Sequence, residues 1–354
     1  MPIQSITELE LDELKDIVSN LGSMPFHAEQ VFRWIYQRGV TDFSLMTDLS
    51  TALRSQLSDS FRIPAPSVVH RQESTDGTIK FLIRLDDGFT VEGVFIPDTP
   101  AMTFCISTQV GCAMQCRFCL TGKMGLSRNL TAGEIADQVR VMAKDTGLLD
   151  QTFNVVFMGM GEPLHNYHAT MKSLRILTTN SGLAVPQRRI TLSTIGVLPA
   201  LAQLSNEPVM PNLAVSLHAT TEELRDRLVP INRKYSLSDL IQACRRFPVK
   251  RRERITFEYV LLADVNDSSA DVERLAMLLQ GIRAKVNVIP LNEAPGIPFR
   301  RPSDARIDAF GRALSARGVR VFIRKSRGRD IRAACGQLFV ESARPTSERL
   351  TVTQ

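Results

Sequence analysis

Three cysteines fall within eight residues, Cys112, Cys116 and Cys119, in the run Gly111-Cys112-Ala113-Met114-Gln115-Cys116-Arg117-Phe118-Cys119. A C-x3-C-x2-C spacing brings three thiolates to one point from a single loop. That suits a cubane [4Fe-4S] cluster whose fourth iron has no protein ligand. An iron left open in this way is a reaction site. Structural zinc is the weaker reading, because it closes its shell with four ligands, usually two separated pairs, and no second pair with that spacing occurs here. A disulfide framework fits no better. Six cysteines in 354 residues do not make a disulfide-dense domain, and three thiols this close cannot all pair.

The loop must be positioned by something, and from about residue 100 the sequence alternates short β-rich runs with helical stretches, the pattern of a parallel sheet built from βα units. Strands are expected at 103–108, 153–158, 189–193, 212–217, 255–262 and 284–291, with a further one at 319–325. Thr131 with Glu134, and Thr220 with Glu223, predict capped helices in the gaps. Six such units imply an α/β fold with a full or partial (β/α)6 barrel, whose chemistry sits at the C-terminal ends of the strands. No dinucleotide fingerprint, P-loop or internal repeat occurs; Gly159-Met160-Gly161-Glu162-Pro163-Leu164 lacks the third glycine at the right place.

Upstream, Leu11, Leu14, Val18 and Leu21 repeat at helical spacing and Thr7 with Glu10 forms a capping-box pattern. Val31, Phe32, Trp34 and Ile35 predict a further helix with the tryptophan in the core. Ile79–Arg84 and Phe89–Ile96 read as a hairpin joined by Asp86-Asp87-Gly88. The organisation expected is a helical N-terminal accessory domain over 1–62, a β-hairpin extension over 63–98, the barrel over 99–326, and a C-terminal segment over 327–354.

With 44% hydrophobic and 23% charged residues the chain has the composition of an ordinary globular protein. Its start lacks a basic and apolar leader and no apolar run reaches about 18 residues, so no membrane span and a cytoplasmic location are expected. The net charge is +6, with Arg245, Arg246, Lys250, Arg251, Arg252 and Arg254 close together. A second basic stretch holds Arg300, Arg301, Arg306, Arg312, Arg317, Arg320, Arg324, Lys325, Arg327 and Arg329. Such runs are often solvated faces, but their density suggests a polyanionic partner.

Polar residues follow each expected strand: the cysteine loop after the first, Gly161-Glu162-Pro163 after the second, Ser193-Thr194 after the third, Ser216-Leu217-His218 after the fourth and Asn292 after the sixth. Singly each has a dull explanation as loop punctuation or a helix cap. Together they form a ring. The cysteine motif followed by a GEP-type motif resembles the radical S-adenosylmethionine (SAM) superfamily. Phe104-Cys105-Ile106-Ser107-Thr108-Gln109-Val110-Gly111-Cys112, Val215-Ser216-Leu217-His218-Ala219 and Ala333-Ala334-Cys335-Gly336-Gln337-Leu338 resemble in particular the RlmN/Cfr family of RNA adenine methyltransferases.

That resemblance implies a [4Fe-4S] cluster on Cys112, Cys116 and Cys119, and SAM contacts from Gly161, Glu162, Ser193, Ser216, Leu217, His218 and Asn292. It implies that Cys335 first takes a methyl group, that a radical made from a second SAM activates it, and that it bonds to the adenine ring. Cys105 then resolves the adduct through a transient disulfide, with Glu92 as proton acceptor. Read without the resemblance, Glu92 is an outward carboxylate on a half-buried strand, and Cys105, Cys335 and Cys244 are core thiols. RlmN-type members methylate carbon-2 of an adenosine in 23S rRNA and in tRNA, whereas Cfr-type members act on carbon-8. Gly161-Glu162-Pro163 and Arg128-Asn129-Leu130 look RlmN-like, so carbon-2 is expected, with a flavodoxin as electron donor and a monomer as the working form. Arg329 departs from the family's Arg-Gly-Asp-Asp stretch. The rival readings are a radical SAM enzyme acting on a non-RNA substrate and an RNA-binding protein with a structural metal.

Overall fold

Apolar strands too short to fold alone bury both faces by alternating with amphipathic helices, and the computed structural model, which describes residues 3–97, 101–250 and 253–340, is arranged accordingly. The N-terminal part holds β1 (Gln4–Ser5), α1 (Leu11–Asn20), α2 (Phe26–Phe32), α3 (Thr51–Ser60) and β2 (Phe61–Arg62). Three strands follow, β3 (Ser67–Glu73), β4 (Ile79–Arg84) and β5 (Thr90–Ile96). Next come β6 (Thr103–Cys105), β7 (Gln109–Gly111), α4 (Leu120–Met124), β8 (Leu126–Asn129), α5 (Ala132–Asp145), β9 (Asn154–Phe157) and α6 (Tyr167–Thr178). The winding continues through β10 (Ile190–Thr194), α7 (Leu198–Leu204), β11 (Asn212–Ser216), α8 (Glu222–Leu228), α9 (Leu237–Arg246), β12 (Ile255–Leu261) and α10 (Ser269–Leu278). It ends with β13 (Ala284–Pro290), α11 (Asp304–Ala316) and β14 (Val321–Ile323).

One ten-stranded sheet runs β14-β13-β12-β11-β10-β9-β6-β5-β4-β3. From β6 through β14 the neighbours are parallel. On β12 every residue is buried. Phe257 and Tyr259 face the helices, Tyr259 stacking on Phe310 of α11 at 5.6 Å, while Thr256 and Glu258 alternate inward to the lumen. At the sheet's other end β5, β4 and β3 are antiparallel, so the expected hairpin has a third strand. β3 is largely exposed and lacks a clean apolar alternation, which hid it.

Several local expectations shift. The box opening α1 is Glu10 with Glu13, because Thr7 is buried and gives its hydroxyl to Asp137 of α5 at 3.0 Å. Likewise α8 is capped by Thr221, since Thr220 donates to the buried Asp271 at 2.9 Å. In each case a buried carboxylate elsewhere outbids the local cap. Thr131 and Glu134 do cap α5. Trp34 is only half-buried, donating to Asp48 at 2.5 Å with the Arg38 guanidinium 3.8 Å over its ring. Residues 3–63 are locked to the barrel through Asp137, whose other oxygen accepts from Arg140 at 2.6 Å; both side chains are at most 2% exposed. Arg140 also donates to the Pro64 carbonyl at 2.6 Å. Among the described residues no helix is long and apolar enough to cross a membrane. Arg251 and Arg252 of the first basic cluster, and residues 341–354 of the expected C-terminal segment, lie outside the described residues.

Candidate active site

The expected strand 103–108 ends early, and the chain restarts as β7, which pairs antiparallel with β8 and clamps the cysteine loop between them. Gly111 opens the loop with φ +81°, where a Cβ would collide with the Gly125 carbonyl, so only glycine serves. The next amide, Cys112, donates to that same carbonyl at 2.8 Å. The three loop cysteines are free, and together they line a cavity of about 160 Å³. Its remaining wall includes Gly161, Glu162, Ser193, Ser216, His218 and Asn292, from the C-terminal ends of successive strands.

Three thiols from one loop fit an iron–sulfur cluster chemically. Among the described residues no three Cys, His, Asp or Glu side chains gather to hold a single metal ion. Burial pushes the Cys112 thiol up to about 12, and burial with the charges of its neighbours holds Cys116 well above its ordinary range. Such sulfurs become thiolates when a cationic centre draws off their protons.

Glu162 is buried and accepts hydrogen bonds from Leu164 N at 3.0 Å, Thr194 Oγ1 at 2.7 Å and Ile195 N at 2.9 Å. Two of the three fall on Oε1, so Oε2 keeps an acceptor position free for a cation. Desolvation raises its pKa to about 7, against those hydrogen bonds. His218 is held at a left-handed φ of +61° and is 4% exposed. Its Nδ1 accepts from Val260 N at 3.1 Å, which leaves Nε2 carrying the proton. Burial, with the Arg225 charge, lowers its pKa to about 3, so the ring is neutral. Asn292, which lines the cavity, donates to the Cys335 carbonyl at 3.2 Å while its Oδ1 is buried without a partner. The Ser193 and Ser216 hydroxyls lie 3.5 Å apart. Leu217 is the exception: its side chain is fully buried and does not line the cavity, and only its backbone takes part, the carbonyl accepting from Arg225 at 3.2 Å.

A second cavity of about 700 Å³ adjoins the first, and Cys105 and Cys335 both line it. Cys335 lines the first as well. Burial, then the charge of Cys335, pushes the Cys105 thiol up to about 12. The Cys335 loop is anchored on several sides: Leu120 N donates to Gly336 O at 2.8 Å, Thr121 Oγ1 to Leu338 O at 2.7 Å, and Gln337 Nε2 to Glu293 O at 2.9 Å. Asp330 fastens the same segment to the β3–β4 turn, accepting from Ser74 Oγ at 2.5 Å and Thr75 N at 3.2 Å. Arg329 is exposed, so the departure from the family's acidic pair falls on the surface while the neighbouring acid makes the contacts. Glu92 is not outward but 4% exposed, 3.1 Å from Lys80 Nζ, and neither cavity wall includes it. Burial raises its pKa against the pull of Lys80. Cys244 is core.

Three charged residues at the site carry no sequence motif of their own. Arg225, 1% exposed, donates to the Ile195 carbonyl at 2.8 Å and those of Ser216 and Leu217 at 3.2 Å, tying two rim strands together behind His218. Glu258 lines both cavities, with Oε1 held by Asn287 at 2.9 Å. Arg324, one member of the second basic stretch, sits against Cys335, whose charge raises its pKa. The signal available for Glu258 was a carboxylate inside an otherwise apolar strand.

A barrel with this cysteine loop and this rim is the framework of a radical SAM enzyme, and two family models agree. The radical SAM superfamily matches residues 106–276, and the ribosomal RNA large subunit methyltransferase N-terminal domain matches residues 4–63. A [4Fe-4S] cluster and SAM are the cofactors of that class. The dual-specificity RNA methyltransferase RlmN of Syntrophobacter fumaroxidans is 47% identical over 336 residues, covering 95% of this chain and 98% of the relative. That of Geobacter sulfurreducens is 50% identical, covering 94% and 91%. The crystal structure of a radical SAM methyltransferase from Sphaerobacter thermophilus matches with a TM-score of 0.89 and 46% identity, over 95% of this chain and 99% of that one. The chain belongs to the RlmN family of radical SAM RNA methyltransferases.

Proposed function

We propose that this protein methylates carbon-2 of an adenosine in 23S rRNA and in tRNA, with Cys335 carrying the methyl group. The observation that carries the reading is that Cys335 lines both the cavity of the loop cysteines and the cavity of Cys105, so one sulfur faces the SAM side and the substrate side. Carbon-2 lies between two ring nitrogens and is too electron-poor to displace a methyl group from a sulfonium.

Cys112, Cys116 and Cys119 would hold the cluster, and Gly161, Glu162, Ser193, Ser216, His218 and Asn292 would hold SAM, with Leu217 contributing through its backbone alone. When bound, the cluster supplies the electron that cleaves SAM to a hydrogen-abstracting radical. The Cys335 thiolate attacks the methyl carbon of SAM and S-adenosylhomocysteine leaves, and that carbon, after losing a hydrogen atom, bonds to carbon-2 as a sulfur–methylene bridge. Arg324 supplies a permanent positive charge beside the accepting sulfur. Glu92 takes the ring proton, and the unpaired electron left on the adduct passes to an acceptor, a role that a cluster on Cys112, Cys116 and Cys119 would fill. Cys105 attacks the Cys335 sulfur, breaking the sulfur–methylene bond and forming a disulfide, and the released carbon takes a proton to become the methyl group. A flavodoxin as donor, a single chain as the working unit and a cytoplasmic setting belong to the same proposal, as do residues 1–62 as an RNA-binding domain.

Cys335→Ala tests it. SAM cleavage under reduction should continue slowly while no methylated adenosine forms; undiminished RNA methylation would overturn the covalent route. Cys105→Ala should accumulate a protein–RNA adduct visible on a denaturing gel.

A further inference from the structure

The larger cavity reaches the end of the barrel opposite the cluster. Thr103, Asn154, Arg189 and Lys285, all within one residue of the N-terminal ends of their strands, line it. Among its lining residues are five cations, Arg189, Lys285, Arg324, Lys325 and Arg327, and one carboxylate, Glu258, whose Oε1 is taken by Asn287. Phe322 of the edge strand β14 stands at this opening, 45% exposed, on the same wall as Asn287, with which it is in register. Cations flank its ring: Arg320 Cζ lies 5.4 Å and Lys285 Nζ 6.0 Å from the centroid.

Like charges crowd here. Burial lowers the Lys285 pKa and the charges of Arg320 and Arg254 lower it further, with only Glu258 opposing. Repulsion of this kind costs stability in the free protein and is relieved when an anion binds. An exposed aromatic ring ringed by cations is the arrangement that holds single-stranded nucleic acid, with phosphates on the charges and a base on the ring.

We infer that RNA enters through the N-terminal end of the barrel, with a base next to the target stacked on Phe322 and flanking phosphates held by Lys285, Arg320 and Lys325. The target base alone then passes inward to Cys105 and Cys335. The cluster and SAM lie beyond them and stay out of contact with the RNA backbone. This rests on the proposed RNA substrate but assigns the route and the gripping residues independently of the chemistry.

Steady-state methylation of an RNA hairpin by the reconstituted full-length enzyme tests it, with variants at residues that line the larger cavity and not the cavity of the loop cysteines. Phe322→Ala should raise KM for RNA about five- to hundredfold, the worth of one stacked base, and Phe322→Trp should restore it. Lys285→Gln with Lys325→Gln should raise KM and flatten the dependence of log affinity on log salt by about 0.7 for each phosphate no longer neutralised. SAM affinity and cluster absorption should not change in any of them. If KM and salt slope match the wild type in all variants, RNA enters elsewhere and the inference is wrong. If the wild type itself methylates no RNA, the proposed function fails instead.

Discussion

The Glu92 carboxylate accepts a hydrogen bond from the Phe339 backbone N–H at 2.8 Å, four residues beyond Cys335. The acid proposed to take the substrate proton is therefore also a clasp for the segment that carries the methyl-bearing sulfur. While the clasp is closed, the Phe339 amide holds one Glu92 oxygen and Lys80 the other, and Leu338 lines the larger cavity while Glu92 does not.

Two substitutions separate these roles. Glu92→Gln keeps an acceptor for the Phe339 amide but loses the proton acceptor, so methylation should slow by about a hundredfold or more while hydrogen exchange at Phe339 is unchanged. Glu92→Ala loses both, and exchange across 336–340 should accelerate as well. Equal exchange in the two variants would mean that the clasp carries nothing.

Glu162 gives a pH dependence of known sign. Its pKa in the folded protein, about 7, lies above the ordinary value of 4.5, so its neutral form is favoured and its contribution to stability falls as pH rises from about 4.5 through 7. In the proposed site the SAM ammonium would be held by the carboxylate form of Glu162. Affinity for SAM should therefore weaken as pH drops below about 7, by up to about tenfold per unit, and Glu162→Gln should abolish that slope. Calorimetry in buffers of different ionisation enthalpy would register the released proton.

The attachment of the N-terminal helices is testable by denaturation. Asp137→Ala strands Arg140 in a site where it is 2% exposed and removes the acceptor of Thr7. The expected loss is about 3–5 kcal/mol, with residues 3–63 becoming susceptible to proteases first. A loss below about 1 kcal/mol would mean that the pair is replaced by water without penalty.

Much of the barrel was legible because parallel strands buried on both faces read as apolar runs and because polar residues at strand ends fall in chain order around one rim. Cys112, Cys116, Cys119, Glu162 and His218 were accessible for that reason. What was hidden depended on contacts across the fold. Thr7 and Thr220 look like caps until Asp137 and Asp271 claim their hydroxyls. Arg225 sits on a helix among other charged residues, and nothing local says that its guanidinium turns inward to three rim carbonyls. Arg324 belongs to a stretch of ten cations, and only the return of the chain from β14 to the cysteine loop places it against Cys335. Glu92 alternates on its strand as a solvent-facing residue would, and the segment that covers it lies 247 residues away.

The central claim is that the carbon delivered to RNA first resides on Cys335. The direct test charges the enzyme with SAM bearing a carbon-13 methyl group, removes free SAM, and then adds RNA, reductant and unlabelled SAM for a single turnover. The account predicts carbon-13 on Cys335 before the chase and in the first methyladenosine formed after it. A first product carrying only unlabelled carbon, with the label still on the protein, would contradict it.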